Sequence, residues 1–217
     1  MKNKDIIIVG LQSWDSSIGG NCVNIALELS KQNRVLYVNR ALDRISIMKQ
    51  GNDPKIKNRL KVLRGEATEI DNVKSNLWVL NPKTLLESVN WMPEPFFSLF
   101  NKRNGKRFAR SILKAAHALS FKETVLFIDN DFFRGRYLAE LLGARFSIYY
   151  IRDYLVSQPY FRKHGIRQEA ALAKKSSIVA ANSSYLAEYA RQFNPNTFDI
   201  GQGCDFTYFD PERNYSI

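Results

Sequence analysis

Long apolar runs are missing from this 217-residue chain, and cysteine and histidine are rare. No stretch of about 18 uncharged apolar residues occurs, so the sequence predicts no membrane-spanning helix. The apolar run that follows Asp5 is too short for a signal peptide. Cys22 and Cys204 have neither metal-ligand spacing nor the density of a disulfide scaffold. We therefore expect a cytoplasmic protein.

Acidic residues are outnumbered: 21 Asp and Glu stand against 32 Lys and Arg, which gives a net charge of +11. This excess predicts an anionic partner, namely nucleic acid, anionic lipid or a phosphorylated substrate. RNP, KH and zinc-finger patterns are absent, which disfavours nucleic acid. Apolar residues make up 45% of the chain and aromatic residues 12%, enough to fill a core. A single globular domain is the expected organisation.

Short apolar segments alternate with amphipathic ones over most of the chain. This alternation is typical of a mostly parallel sheet with helices on both faces. The fold class expected is a three-layer, Rossmann-like α/β domain. Strands are predicted at 4–9, 34–39, 77–80, 124–129, 147–151, 177–181 and 197–200, and helices at 20–32, 96–119, 134–142, 167–175 and 184–193. Residues 40–76 are predicted to form short strands and long loops.

The loop after the first strand places Gly19 and Gly20 at the start of a predicted helix. Bare backbone NH groups and the positive end of the helix dipole can bind an anion there. The alternative is that both glycines only make a tight turn. Gly10 and Gly19 are too far apart for a GxGxxG fingerprint, and no GxxxxGK[ST] motif occurs, which disfavours a dehydrogenase or P-loop enzyme.

Ligands of such folds bind outside the carboxyl ends of the strands. Asp153 follows a predicted strand there and is a candidate to accept hydroxyl hydrogen bonds or a proton. An ion pair or a helix cap is the alternative role. An aromatic ring beside a carboxylate, as at Trp14 and Asp15, suits a sugar. The predicted acceptor contacts are Trp14, Asp15, Asn39, Arg40 and Arg152.

The run Asp129, Asn130 and Asp131 could hold a metal ion, but such residues more often cap helices and turns. Capping is therefore the interpretation preferred, and no metal site is predicted. His117 and His164 receive no functional role.

The long helix predicted at 96–119 carries a basic face. No acidic residue occurs between Glu94 and Glu123. Such a helix suggests an anionic membrane surface or a phosphorylated ligand, and an ordinary solvated face is the alternative. The residues of this predicted membrane surface are Lys102, Arg103, Lys106, Arg107, Arg110 and Lys114.

Four segments carry a resemblance to a known family. They are IYYIRDY at 148–154, EAALAKKSSIVAANSSYLAEYA at 169–190, GQGCDFTYFDP at 201–211, and the strand, glycine loop and helix at 6–29. Together they resemble the amino-terminal, acceptor-side half of family 4 type glycosyltransferases, which have the two-domain GT-B fold. Ser177, Gln202 and Arg152 depart from the family pattern.

The resemblance implies an enzyme that needs no metal or other cofactor. It would move a sugar from a nucleotide-diphosphate sugar to the hydroxyl of a glycan or lipid-linked acceptor, with retention, in cell-envelope polysaccharide synthesis. Its place would be the cytoplasm, at the inner face of the plasma membrane. By the same resemblance, Gly19 and Gly20 face the donor phosphates and Asp153 is catalytic. Gly203 and Asp205 match a hinge-side turn, whereas Glu169 and Ser183 match structural positions.

The domain boundaries expected from the resemblance are 1–205 for the amino-terminal domain and 206–217 for the start of the interdomain connection. A carboxy-terminal donor-binding domain is then absent from this chain, which we expect to be inactive alone. Two alternatives remain open at this point: a non-catalytic glycan- or phosphate-binding module, and a peripheral membrane module.

Overall fold

The structure is a computed structural model that describes residues 1–16 and 20–203. Its ten described strands are β1 (Asp5–Gly10), β2 (Arg34–Val38), β3 (Leu42–Asp43), β4 (Ile70–Lys74), β5 (Leu77–Leu80), β6 (Leu85–Leu86), β7 (Val125–Asp129), β8 (Phe146–Ile151), β9 (Ile178–Ala181) and β10 (Thr197–Asp199). The described helices are α1 (Asn21–Ser30), α2 (Arg44–Gln50), α3 (Pro54–Arg64), α4 (Phe96–Ala118), α5 (Phe132–Gly135), α6 (Leu138–Leu141), α7 (Pro159–Lys175) and α8 (Ser184–Arg191), with a 3-10 turn at Leu155–Ser157.

Eight strands form one sheet in the order β10-β9-β8-β7-β1-β2-β5-β4, and β3 pairs with β6 in a small second sheet. Within the large sheet only β4 runs antiparallel to its neighbour, β5. The run Ile6, Ile7, Ile8 and Val9 is at most 1% exposed, because β1 lies at the centre of the sheet with both faces covered. The mostly parallel, three-layer α/β class is confirmed.

Two apolar cores cover the two faces of the sheet. Alternate residues of β1 point to opposite faces, so Ile7 packs in one core and Ile8 in the other. The larger core includes Phe108 and Ile112 of α4, and the smaller includes Ala26 of α1. This arrangement holds the carboxyl ends of the strands at one rigid edge.

The chain changes direction across the sheet at β1. It first builds β2, β5 and β4 on one side, and then returns to place β7 on the other side of β1. Gly10 of β1 and Asp129 of β7 lie opposite each other in register. A parallel α/β sheet binds ligands at this kind of switch point, so the crevice beside Gly10 and Asp129 is where a site is expected.

The prediction of loops and short strands for 40–76 is wrong in part, because α2 and α3 lie there. Asp43 caps α2 by accepting a hydrogen bond from the Ser46 backbone N–H at 3.0 Å. Asp53 caps α3, Pro54 occupies its first turn, and Gly65 ends it at φ 84°. End signals, not an apolar stripe, define these helices.

Two other helix predictions need correction. The helix predicted at 134–142 is divided into α5 and α6, and α7 begins at Pro159 rather than at 167. Pro at the first turn of α7 is compatible with a helix start, since its missing N–H would be unpaired there. The other predicted strands and helices are confirmed to within a few residues. Among the described helices, none is long and apolar enough to cross a membrane.

Candidate functional site

A buried ion pair lies at the switch point. The Asp129 side chain is fully buried, and Arg152 Nε donates to its Oδ1 at 2.9 Å. Arg152 follows β8, the neighbour of β7, so the strand order brings these two residues together. The Arg152 guanidinium also lies 3.5 Å from Oδ2 of Asp153. The two strand ends thus carry one linked network of charges.

The Asp129 carboxylate also contacts the β1 end of the crevice. The Cys22 thiol of α1 lies beside it, and burial together with the Asp129 charge raises the pKa of Cys22 well above its usual value. Burial also raises the pKa of Asp129, although the Arg152 charge opposes this. Space is tight here, because a Cβ on Gly10 would lie 3.0 Å from Cys22 Sγ and 3.2 Å from Asp129 Oδ2.

Asp153, the predicted catalytic residue, lies at this edge with its side chain 53% exposed. Among the described residues, its carboxylate forms an ion pair with Arg152. Asn130 is fully buried and donates from Nδ2 to the Asp153 carbonyl at 3.3 Å. Asn130 adopts φ 55°, the left-handed region in which asparagine is favoured among residues that have a Cβ.

Asn130 was not among the predicted site residues, because its sequence context favours a cap. Asp131 does cap α5, accepting from the Arg134 backbone N–H at 3.1 Å. Asn130 differs, since its Oδ1 is buried and accepts no hydrogen bond from the described residues. An unpaired buried oxygen of this kind can accept a hydrogen bond from water or from a ligand hydroxyl. Its backbone angle and its unpaired oxygen set this residue apart, and the sequence shows neither of them.

The first loop is held to the ends of β2 and β5. The Trp14 backbone N–H donates to Asn39 Oδ1 at 2.7 Å, and Asn39 Nδ2 donates to Asn81 Oδ1 at 2.8 Å. Asp15 accepts from Arg59 of α3 at 2.5 Å. Asn39 is 3% exposed and positions the loop. The roles of Trp14, Asp15 and Asn39 as acceptor contacts stay predictions.

The helix terminus that follows this loop is built without a side-chain cap. Gly20 is the N-cap of α1 and has an extended backbone, so no side chain occupies the terminus from that position. A Cβ at Gly20 would overlap the side chain of Gln12. Gly19 lies outside the described residues, as does Asp205, whereas Gly203 is described and exposed. Donor contacts by Gly19 and Gly20 and a hinge at Gly203 and Asp205 stay predictions.

A cavity of about 350 Å³ opens beside the switch point. Its floor comes from residues that follow β1, β2 and β7, including Leu11, Arg40 and Asn130. Its walls come from α2, α4, α5, the start of α7 and the segment at 86–91. Aromatic side chains dominate these walls: Trp91, Phe97, Phe108, Phe132, Phe133, Tyr160 and Phe161. Its volume falls within the range of small-molecule sites.

Arg40 is the predicted acceptor contact that lines this cavity. It is exposed, and the nearby positive charge of Arg134 lowers its pKa. Arg134 is itself paired with Asp131 at 2.8 Å. Trp14, Asp15, Asn39 and Arg152 do not line the cavity, and neither does Asp153.

The basic face of α4 lies apart from the crevice. Lys102, Arg103, Lys106 and Arg110 are exposed, and none of them pairs with an acidic side chain in the described part of the chain. The other two predicted members of the face are neutralised, because Arg107 pairs with Glu87 at 3.3 Å and Lys114 pairs with Glu69 at 2.7 Å. Membrane contact by this face stays a prediction.

Glu169 and Ser183, which the resemblance matches to structural positions, form a buried hydrogen-bond network and a helix cap, respectively. Glu169 is 1% exposed and accepts from the Tyr149 and Tyr189 hydroxyls at 2.8 and 2.9 Å. Ser183 is the N-cap of α8.

His164 stacks on Phe97 with ring centroids 3.8 Å apart, and burial lowers its pKa. Across 1–16 and 20–203, no group of three or more His, Cys, Asp or Glu side chains could hold a metal ion.

Comparison with known proteins shows which fold this is. No protein-family model and no curated protein sequence matches the chain. Among solved structures, it is similar to sucrose-phosphate synthase (tll1590) from Thermosynechococcus elongatus, with a TM-score of 0.60 and 12% identity over 95% of this chain. The chain has the fold of one GT-B half. It spans about half of that neighbour, covering 49% of its length.

A second solved structure with detectable similarity is Arabidopsis thaliana UGT89C1 complexed with UDP. That match has a TM-score of 0.45 and 14% identity, and it covers 94% of this chain and 50% of the other. A TM-score of 0.45 is too low to support a statement about the fold. The first comparison confirms the Rossmann-like, GT-B-half fold expected from the sequence; at 12% identity it shows the fold and not the activity.

Proposed function

We propose that this chain is the acceptor-binding half of a glycosyltransferase. The observation that carries the proposal is the cavity of about 350 Å³ beside the switch point, in a domain that shares the fold of one half of sucrose-phosphate synthase. The cavity, Asp153 and the N-terminus of α1 lie at the same edge of the sheet. An acceptor in the cavity could therefore meet a donor held across the crevice by a second domain.

The transfer step assigns a role to each of these groups. The acceptor oxygen forms a bond to the anomeric carbon of the donor while the bond from that carbon to the diphosphate oxygen breaks. The Asp153 carboxylate accepts the hydroxyl proton. Backbone NH groups at the start of α1, around Gly19 and Gly20, stabilise the charge that develops on the leaving diphosphate. Arg152 positions Asp153 through the contact between their side chains.

The finer assignment follows the sequence resemblance. The sugar donor is a nucleotide-diphosphate hexose, and the acceptor belongs to a glycan or a lipid-linked precursor of a cell-envelope polysaccharide. Transfer proceeds with retention and without a metal or other cofactor, in the cytoplasm at the inner face of the plasma membrane. The donor-binding domain follows the connection that starts at 206–217, and Gly203 and Asp205 form its hinge-side turn.

A peripheral membrane module is the second candidate, and one observation favours it. Four exposed cations of α4 have no acidic partner among the described residues, and their charge would attract anionic lipid. Replacing Lys102, Lys106 and Arg110 by Glu should abolish binding to vesicles that contain phosphatidylglycerol. Unchanged binding would show that the basic face of α4 does not bind the membrane.

The experiment that tests the main proposal is to sequence the reading frame beyond Ile217. We expect a second βαβ domain with a glycine-rich turn, a basic pair and two glutamates, as in the family that the chain resembles. A stop codon directly after Ile217, with no partner gene for a donor domain, would contradict the proposal and favour a binding module.

A further inference from the structure

We propose that the cavity beside the switch point takes an amphipathic, anionic acceptor, whose apolar portion packs among the aromatic walls and whose anionic group lies against Arg40. The inference rests on the proposed function, because it names the acceptor class of the same site. Of the two kinds of acceptor expected, a glycan or a lipid-linked molecule, it selects a molecule with an apolar portion and adds an anionic group.

The walls of the cavity favour an apolar ligand. Phe133 packs against three other phenyl rings, with centroid distances of 5.9 Å to Phe97, 4.7 Å to Phe132 and 6.2 Å to Phe161. Leu86 and Phe108 add further apolar surface. Burying apolar surface against such walls is favourable, at roughly 25 cal/mol per Å².

The polar side chains of the walls are mostly engaged already. Asn104 accepts from the Glu87 backbone N–H at 2.9 Å and donates to the Glu87 carbonyl at 2.8 Å. Asn101 donates to the Phe133 carbonyl at 3.3 Å. A bare sugar has a hydroxyl on most of its carbons, and each buried hydroxyl without a partner is costly. The walls therefore offer too few partners for a sugar alone.

Two amide oxygens are exceptions and fit a single hydroxyl end. Asn90 Oδ1 and Asn130 Oδ1 are both buried and accept no hydrogen bond from the described residues. Both residues line the cavity, and Asn130 is bonded to the Asp153 carbonyl. A hydroxyl that donates to Asn130 would thus lie on the side of the cavity nearest the predicted catalytic residue.

The charges of the lining leave a positive excess at Arg40. Each acidic residue of the lining has partners of its own: Asp131 pairs with Arg134, Glu87 pairs with cations outside the cavity, and Asp43 accepts three hydrogen bonds at the start of α2. Arg40 and Lys49, which also lines the cavity, form no ion pair with an acidic side chain in the described ranges. The Arg134 charge lowers the pKa of Arg40, while the charges of Asp131 and Asp43 oppose this shift.

The mouth of the cavity is also apolar. Ile45 is 40% exposed, Trp91 is 67% exposed and Tyr160 is 64% exposed, and all three line the cavity. Large exposed apolar side chains grouped around one opening mark a binding surface. An apolar chain longer than the cavity would lie against these residues.

Titration of residues 1–217 with octyl phosphate, below its micelle concentration, tests the inference by calorimetry. Octyl glucoside supplies the same octyl group without charge, inorganic phosphate supplies charge alone, and maltose supplies a glycan alone. We expect saturable binding of octyl phosphate, at least tenfold weaker binding of octyl glucoside, and no measurable binding of phosphate or maltose. A phenyl phosphate titration separates an aromatic from an alkyl apolar portion, and saturable binding of either supports the inference.

Two variants locate the binding. Arg40→Gln should remove the tenfold preference for octyl phosphate and leave octyl glucoside unchanged. Trp91→Ala should weaken both octyl compounds. Lys102→Gln is the matched control, since it removes one positive charge from α4 outside the cavity, and it should change neither. Both Arg40 and Trp91 are exposed, so the variants should keep the unfolding midpoint of the wild-type chain.

The inference would be overturned if octyl phosphate and phenyl phosphate both bind no tighter than inorganic phosphate, or if maltose binds tighter than the octyl compounds. An Arg40→Gln variant that keeps the full preference would overturn it too. None of these titrations uses a nucleotide sugar, so a failed proposal of glycosyl transfer and a failed assignment of the acceptor class give separate results.

Discussion

Removal of Arg152 should destabilise the chain in a pH-dependent manner. In Arg152→Met the Asp129 carboxylate stays fully buried but loses the hydrogen bond from Arg152 Nε at 2.9 Å. Breaking a buried pair from one side costs about 3–5 kcal/mol. The Arg152 side chain is 23% exposed, so water partly screens this pair and we expect about 3 kcal/mol at pH 7.

The sign of the pH dependence follows from Asp129. Burial already raises its folded-state pKa, and loss of Arg152 raises that pKa further. A carboxyl whose pKa is raised on folding contributes stability below its unfolded pKa, about 3.9, and loses that contribution as pH rises through the folded value. The deficit of Arg152→Met should therefore be small near pH 4 and grow toward pH 7 by at most about 1.4 kcal/mol per pH unit.

Urea unfolding of the variant and the wild type between pH 4 and pH 7 measures this deficit. Arg145→Met is the matched control, because Arg145 pairs with Glu123 while both side chains are about two-thirds exposed, at 67% and 68%. It should cost less than about 1 kcal/mol at every pH. The double variant Arg152→Met with Asp129→Asn should recover most of the loss. A deficit for Arg152→Met that is equal at pH 4 and pH 7 would refute the reasoning.

Three further predictions concern the packing of the domain. Burial raises the pKa of Glu169, so the wild type should lose stability relative to Glu169→Gln as pH rises above about 4. The same difference in urea midpoint between the two proteins at pH 4 and at pH 7 would contradict this. Gly165→Ala should destabilise the protein by about 1–3 kcal/mol, because the added Cβ would lie 2.8 Å from Phe132 Cε2. Helix propensity alone would raise the thermal midpoint, so a raised midpoint would count against this contact. Asn194→Asp should lower the free energy of unfolding by roughly 3 kcal/mol at pH 7, since Asn194 Nδ2 donates to the Ala173 and Ser176 carbonyls at 2.8 Å. Asn72→Asp on the exposed edge strand is the control and should shift the urea midpoint little.

The strands of the large sheet could be predicted because their burial leaves a local signature. A strand covered on both faces, such as β1, is a continuous apolar run, and β5 matches its predicted range. α3 buries only Ile56 and Val62, so its sequence carries a weak apolar stripe. Asp53, Pro54 and Gly65 mark its ends and were the available signal.

The site could be predicted only in part, because strand order and long-range packing decide it. The edge of the sheet was expected from the alternation of strands and helices, and Asp153 and Arg40 lie there. The pairing of Arg152 with Asp129 depends on β7 and β8 being neighbours. The cavity joins α2, α4 and α7, which are distant in sequence, so no local pattern reveals it.

Nucleotide-diphosphate release is the measurement that tests the central claim most directly. The protein encoded by the complete reading frame would be incubated with a panel of nucleotide-diphosphate hexoses and an amphipathic acceptor. The account predicts turnover by that protein, a kcat at least about 100-fold lower for Asp153→Asn, and no turnover by residues 1–217 alone. Turnover by residues 1–217, or an Asp153→Asn variant as active as the wild type, would contradict it.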